Sequence, residues 1–386
     1  MRFAMTPNTA RARERDPRID VLRGMSLFMI FVDHIPGNML GLFTLHNFGF
    51  SDAAEVFVLL AGMSSMLAYG RIFEREGALG GLRRIFQRCV HIYLFQIGLL
   101  LTTLAIVLLW TSHYRLQPTL VAPILNSPLS GLVRGFMLEA VPGYLDILPL
   151  YLVLFALFPL VYLGLRWRPW LTLGVSAAIW LAANLEPNLN LPNWMNGGYW
   201  FFNPLAWQFL FTIGAAIAMI TAAHGGSLPR SRWAVWFCIA YLCFSFLESV
   251  PWAYWHLPSL RPFNVAAPDK TQLGMFRLFN ILALAYLIFS SYELRAIARR
   301  HYFQALEACG RHSLEVFALG CLCALFGRLL FRTNGAGFYP QLLVNVVGLA
   351  IMCCAGMWLE KGRIRSGSKA EIVTVMGANA CETLRS

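Results

Sequence analysis

The sequence predicts an all-α integral membrane protein, a bundle of about ten transmembrane helices with both termini cytoplasmic. Three observations carry that expectation. First, 58% of the 386 residues are hydrophobic and only 13% are charged, and the mean hydropathy is +0.58. Soluble domains carry about 25% charged residues. Second, apolar runs of about 18 to 24 residues, long enough to cross a bilayer, recur from near residue 19 to near residue 359. No insertion between them is long enough for a soluble domain. Third, the 31 Lys and Arg, which give a net charge of +12, cluster in alternate connecting segments. That is the bias of a chain whose basic loops stay inside.

The spans read in order as 19 to 42, 52 to 72, 86 to 112, 143 to 165, 169 to 185, 204 to 223, 233 to 250, 275 to 293, 313 to 331 and 341 to 359. Residues 1–18 form a basic cytoplasmic N-terminus, 19–360 one membrane domain, and 361–386 a disordered cytoplasmic tail. The first apolar run is too long for the core of a signal peptide and lacks a small-residue cleavage site, so it reads as an uncleaved helix. The basic residues follow topology, with no basic helix interleaved with stacking aromatics, so a nucleic-acid partner is not expected. The nine cysteines fall largely within apolar runs as packing residues, and no Cys or His pair has ligand spacing in a polar setting, so no metal is expected.

The first span, RIDVLRGMSLFMIFVDHI, is the richest in chemistry. On an ideal helix Asp20, Arg23 and His34 share a wedge of roughly 60°. Ionisable groups inside a membrane are costly and point by default to a function. An Asp20 to Arg23 pair could merely anchor the helix end, but that leaves His34 unexplained. His34 lies about 16 Å further along the axis, just before Pro36 and Gly37 end the helix. Asp33 points about 100° away and would orient the imidazole only if the backbone were distorted.

The second span opens with Asp52 and Glu55, which suit a helix N-terminus and could also meet substrate. Ala61, Gly62, Ser64 and Ser65 then form a small-residue face for close helix packing. On the third span Arg84, Arg88 and His91 lie on one face at the basic end, fit either for anchoring or for holding the phosphates of an anionic cofactor. Residues 129 to 140 read as a short amphipathic interfacial helix. GYLDILPLY brings Tyr144 and Asp146 to the start of the fourth span, and FFNPLAWQFLFTIG brings Asn203, Trp207 and Gln208 to the sixth, where all five suit either interfacial anchoring or contact with substrate. The outer loops, with Tyr199 and Trp200, are aromatic. They suit a membrane interface belt or, alternatively, stacking on sugar rings. The sequence leaves the partners of Arg277 and Arg328 open.

The ordered motifs RIDVLRG with FVDHIPGN, FSDAAEVFVLLAGMSS, GYLDILPLY, WFFNPLAWQFLF and GRHSLEVF resemble the OpgC family of inner-membrane proteins over about residues 16 to 360. The resemblance implies succinylation of osmoregulated periplasmic glucans, and similarity to the wider set of membrane acyltransferases that use coenzyme A thioesters. Those proteins commonly place an Arg and, eleven residues later, a His in the first helix, as Arg23 and His34 stand here. Many also carry two Arg three residues apart near the third helix, whereas Arg84 and Arg88 are four apart.

The expectation is therefore a multi-pass inner-membrane O-acyltransferase with acyl-CoA, succinyl-CoA in particular, as co-substrate and a periplasmic glucan as acceptor. No permanently bound cofactor is expected, and the oligomeric state is open. His34 would act as the base, with Asp33, Arg23 and Asp20 beside it. The alternatives are a transporter or flippase of an anionic or glycan substrate, or an O-acetyltransferase acting on another surface glycan. Against transport, no inverted repeat or matched pair of broken helices is visible.

Overall fold

The computed structural model describes residues 15–195 and 197–383, with side chains through residue 365. In chain order its helices are α1 (Pro17–Asp33), α2 (Ala53–His113), α3 (Ala122–Asn126), α4 (Pro128–Phe136), α5 (Ile147–Trp167), α6 (Pro169–Leu185) and α7 (Pro204–Ala223). There follow α8 (Arg232–Ser249), α9 (Met275–Ser290), α10 (Tyr292–Ile297), α11 (Gln304–Arg311), α12 (Ser313–Asn334) and α13 (Phe338–Thr383). Among the described residues the only strands are β1 (Pro192–Asn193) and β2 (Gly198–Tyr199), which pair antiparallel.

Five helices, α2, α5, α7, α12 and α13 through Arg365, are long and apolar enough to cross a membrane. The apolar helices α6 and α9 are shorter. This is an all-helical membrane protein.

Most helices fall where hydropathy places them, and the departures have local causes. The first span was expected to reach residue 42, but α1 stops at Asp33. Pro36 cannot donate the backbone N–H that the next turn requires, and Gly37 follows at φ +78°. Residues Met39–Phe43 instead form a 3₁₀ turn. The second and third spans are two arms of α2, which loses helical geometry at Gly77 (φ 72°, ψ −172°). Only glycine adopts that conformation without strain. The chain doubles back there: a Cβ on Gly81 would lie within 2.5 Å of the Phe73 ring, although eight residues of straight helix span about 12 Å. At the other end of the chain, α13 continues to Thr383, through the segment where the sequence suggested a disordered tail.

The small-residue face of α2 meets α7 as expected. A Cβ on Gly62 would sit 2.0 Å from the Phe211 carbonyl oxygen, and one on Gly214 would sit 2.2 Å from that of Leu59. The two backbones touch, which only hydrogen side chains permit. One end of the bundle is rich in arginine. There Arg18, 2% exposed, donates to the carbonyls of Ile288 (3.0 Å), Ser291 (2.8 Å) and Gly226 (2.5 Å). A cation thus meets the negative end of α9. The opposite end is rich in aromatic side chains and holds the site.

Candidate functional site

Four separated segments meet at the aromatic end. The C-terminus of α1 brings His34, the N-terminus of α2 brings Asp52, Ala53 and Ala54, the start of α5 brings Tyr144 and Asp146, and the loop before α9 brings Lys270. Together with Asp33, Ile30, Ile147 and Phe202 they line one pocket. The His34 ring meets the Tyr144 ring edge-on, centroids 5.1 Å apart. Among the described residues neither imidazole nitrogen has a hydrogen-bond partner, so the ring is available to a substrate. Two helix N-termini, of α2 and α5, point their positive ends at this pocket, which favours negative charge developing inside it.

One wall is a charge network that the sequence only half revealed. Asp52 caps α2 by accepting from Ala54 N–H (2.8 Å), and Glu55 accepts from Asp52 N–H (2.8 Å), a reciprocal capping box. The outer carboxylate oxygen of Asp52 then meets Lys270 Nζ at 2.5 Å and Arg277 at 3.0 Å. Arg277 Nε also donates to Glu55 at 2.6 Å. Glu55 is therefore fully buried behind the pocket as a partner of Arg277 and does not line it. Asp52 stands at the wall, shared between two cations.

Lys270 was not singled out from the sequence. The one available signal was rarity, since it is one of three lysines in the chain. The N-terminal end of α7 holds it in place. Trp207 Nε1 donates to the carbonyls of Lys270 (3.2 Å) and Thr271 (3.1 Å). Asn203 donates its amide to Gln272 (2.6 Å) and accepts from Leu205 N–H (3.0 Å) as the cap of α7. Gln208 is turned away, bonded to Ser176 (2.5 and 2.8 Å). Of these three residues, weighed as substrate contacts, none lines the pocket, and Asn203 and Trp207 support it from behind.

Of the aromatic pair in the 186 to 203 loop, Tyr199 is exposed while Trp200 is buried, its Nε1 donating to the Leu138 carbonyl (3.2 Å). Asp146 accepts from Tyr144 N–H (3.1 Å), a bond that helps hold Tyr144 at its unusual φ of +73°. Asp33 does not orient His34. It accepts from Thr44 Oγ1 (2.7 Å) and faces His46 Nδ1 (3.3 Å), so the pocket's rim carries a second imidazole that the sequence reading missed.

Asp20 and Arg23 are both buried but are not partners, and neither reaches the pocket. Arg23 donates across to the Leu60 carbonyl (3.0 Å) and to Ser64 Oγ on α2. Asp20 is met by Arg15 (2.7 Å) and Arg311 (3.6 Å). Arg311 continues to Glu307 and to Glu360 (2.6 Å), and Glu360 faces His312 (3.2 Å). Asp20 is thus part of an ion-pair hub that ties α1 to α11 and α13.

On the second arm of α2, Arg84 and His91 are exposed and Arg88 is half-buried, its guanidinium over the Phe155 ring at 5.9 Å. Among the described residues no carboxylate pairs with Arg84 or Arg88. Nor, among them, do three or more His, Cys, Asp or Glu cluster to hold a metal ion.

No curated protein matches the sequence. The family model described as OpgC protein, however, matches residues 15–364, nearly the whole described chain and all of the elements that build the pocket. The chain belongs to the OpgC protein family.

Proposed function

We propose that this protein is an inner-membrane O-acyltransferase that moves a succinyl group from cytoplasmic acyl-CoA to a hydroxyl of a periplasmic glucan. Family membership supports an acyltransferase-like activity. The observation that carries the mechanism is the His34 imidazole, without hydrogen bonds among the described residues, at the bundle end opposite the arginine-rich one, in a pocket walled by Asp52, Tyr144 and Lys270.

In this reading the arginine-rich end faces the cytoplasm. Arg84 and Arg88 hold the phosphates of coenzyme A, and the thioester reaches along α1 towards His34. The glucan hydroxyl enters at the aromatic end. Its oxygen attacks the thioester carbonyl while His34 takes the proton. The carbon–sulfur bond then breaks, and the imidazolium returns the proton to the departing thiolate. Lys270 and the N-termini of α2 and α5 supply positive potential for the oxyanion between those steps.

The direct test is radiolabelled succinyl-CoA with purified protein and glucan. Label on the sugar is expected; transport without labelled sugar would replace the enzyme with a flippase.

Two further outcomes follow from this arrangement. Arg84→Ala with Arg88→Ala is expected to raise the apparent KM for acyl-CoA at least about tenfold with normal expression, because the lost contacts bind phosphate and do not react. Unchanged donor kinetics would leave them as topology anchors. For the ten-span topology, reporter fusions after Arg168, Arg232 and Arg299 should read as cytoplasmic, and fusions near residues 196 and 269 as periplasmic. Reversal at two of these sites would refute it.

A further inference from the structure

Among the described residues the buried arginines are compensated, whereas the half-buried Arg328 is not. Arg18 is surrounded by acceptors, Arg23 by Leu60 and Ser64, and Arg277 by two carboxylates. Arg328, on α12 two turns before the helix ends at Asn334, makes no hydrogen bond or ion pair among the described residues. Its Nε is buried with no acceptor. An uncompensated guanidinium among apolar helices is costly and rarely lies there without a partner for its charge.

Its position says which partner. The guanidinium lies over the Tyr144 ring, 4.2 Å from the centroid, and the same ring meets His34 edge-on. A single aromatic side chain therefore separates Arg328 from the proposed base. That is the reach of a four-carbon acyl chain, from a carbonyl under attack at His34 to a group at its far end. The phosphates of coenzyme A belong at the other end of the bundle, beside Arg84 and Arg88. What remains for Arg328 is an anion on the acyl group itself, and a planar guanidinium matches the two oxygens of a carboxylate.

We propose that Arg328, stacked on Tyr144, binds the distal carboxylate of a dicarboxylic acyl group and so selects succinyl over neutral acyl donors. This rests on the acyl-transfer reading and adds a specificity-determining residue to it. Stacking keeps the guanidinium in place without neutralising it, leaving its charge for the donor.

The test compares succinyl-CoA with butyryl-CoA, which has the same chain length and ends in a methyl group. Full-length protein in nanodiscs is assayed with glucan acceptor. Wild type is expected to prefer succinyl-CoA. Arg328→Gln is expected to lower kcat/KM for succinyl-CoA about 10- to 100-fold, the scale of a lost charged hydrogen bond, and butyryl transfer far less, so the preference collapses. Arg328→Lys, which keeps the charge and loses the fork, is expected to fall between them and serves if the glutamine variant does not fold. Equal losses for both donors, or an unchanged preference, would overturn the assignment while leaving the acyl-transfer reading intact. A wild-type protein that transfers neither acyl group would overturn both.

Discussion

His34→Gln is expected to slow acyl transfer at least about a hundredfold, the lower end of what a positioned base contributes. The protein should still insert and still bind acyl-CoA. A sugar hydroxyl is a poor nucleophile at neutral pH and needs a base within hydrogen-bond reach as it attacks. Glutamine retains much of the size and polarity of histidine but cannot take the proton. His34 has no hydrogen bond to lose within the described protein, so a structural penalty is not built into the substitution. Single-turnover transfer of labelled acyl groups, alongside acyl-CoA binding, separates the two roles. Turnover by His34→Gln within a few-fold of wild type would return His34 to a packing role.

Arg277→Met is expected to cost about 3–5 kcal/mol of stability, because it strands a buried charge. Glu55 is fully buried, and Arg277 is its ion-pair partner at 2.6 Å. Asp52 would retain Lys270 at 2.5 Å, but Glu55 would keep only the N–H of its capping box. The double variant Glu55→Gln with Arg277→Met removes both charges and should recover much of the loss. Thermal unfolding in detergent measures both. A single variant that melts within about 2 °C of wild type would show the network contributes little to stability.

The helices were legible because lipid imposes length and apolarity on each span locally. The ranges 169 to 185 and 204 to 223 coincide with α6 and α7. Asp52 was legible as a cap and Gly62 as a contact point, since both roles are written within a few residues of sequence. What escaped depends on distant parts of the chain. Arg277 meets Glu55 across 222 positions, and Lys270 is carried to the pocket by bonds from Trp207 to a loop backbone. The spacing of Asp20 and Arg23 suggested a pair. The structure gives each a different partner, because α2 and α11 press close enough to offer acceptors and cations of their own. Trp200 in an aromatic loop could serve a bilayer, a sugar or the interior. Only the Leu138 carbonyl, 62 positions away, decides for the interior.

The reversal at Gly77 also bears on how the protein would be made. It gathers Arg71, Arg75, Arg83 and Arg84 at the tip of a helical hairpin. Dragging each such side chain through the centre of a bilayer would cost about 2.5 to 3.5 kcal/mol on insertion scales. The tip would therefore stay on the side where it is synthesised while the two apolar arms enter together. Once residue 113 has left the ribosome, the hairpin would have committed the sidedness of the whole molecule. His34 and Asp52 would already face their final compartment, and Lys270, 157 positions beyond residue 113 in the chain, would have only one side of the membrane on which to meet them.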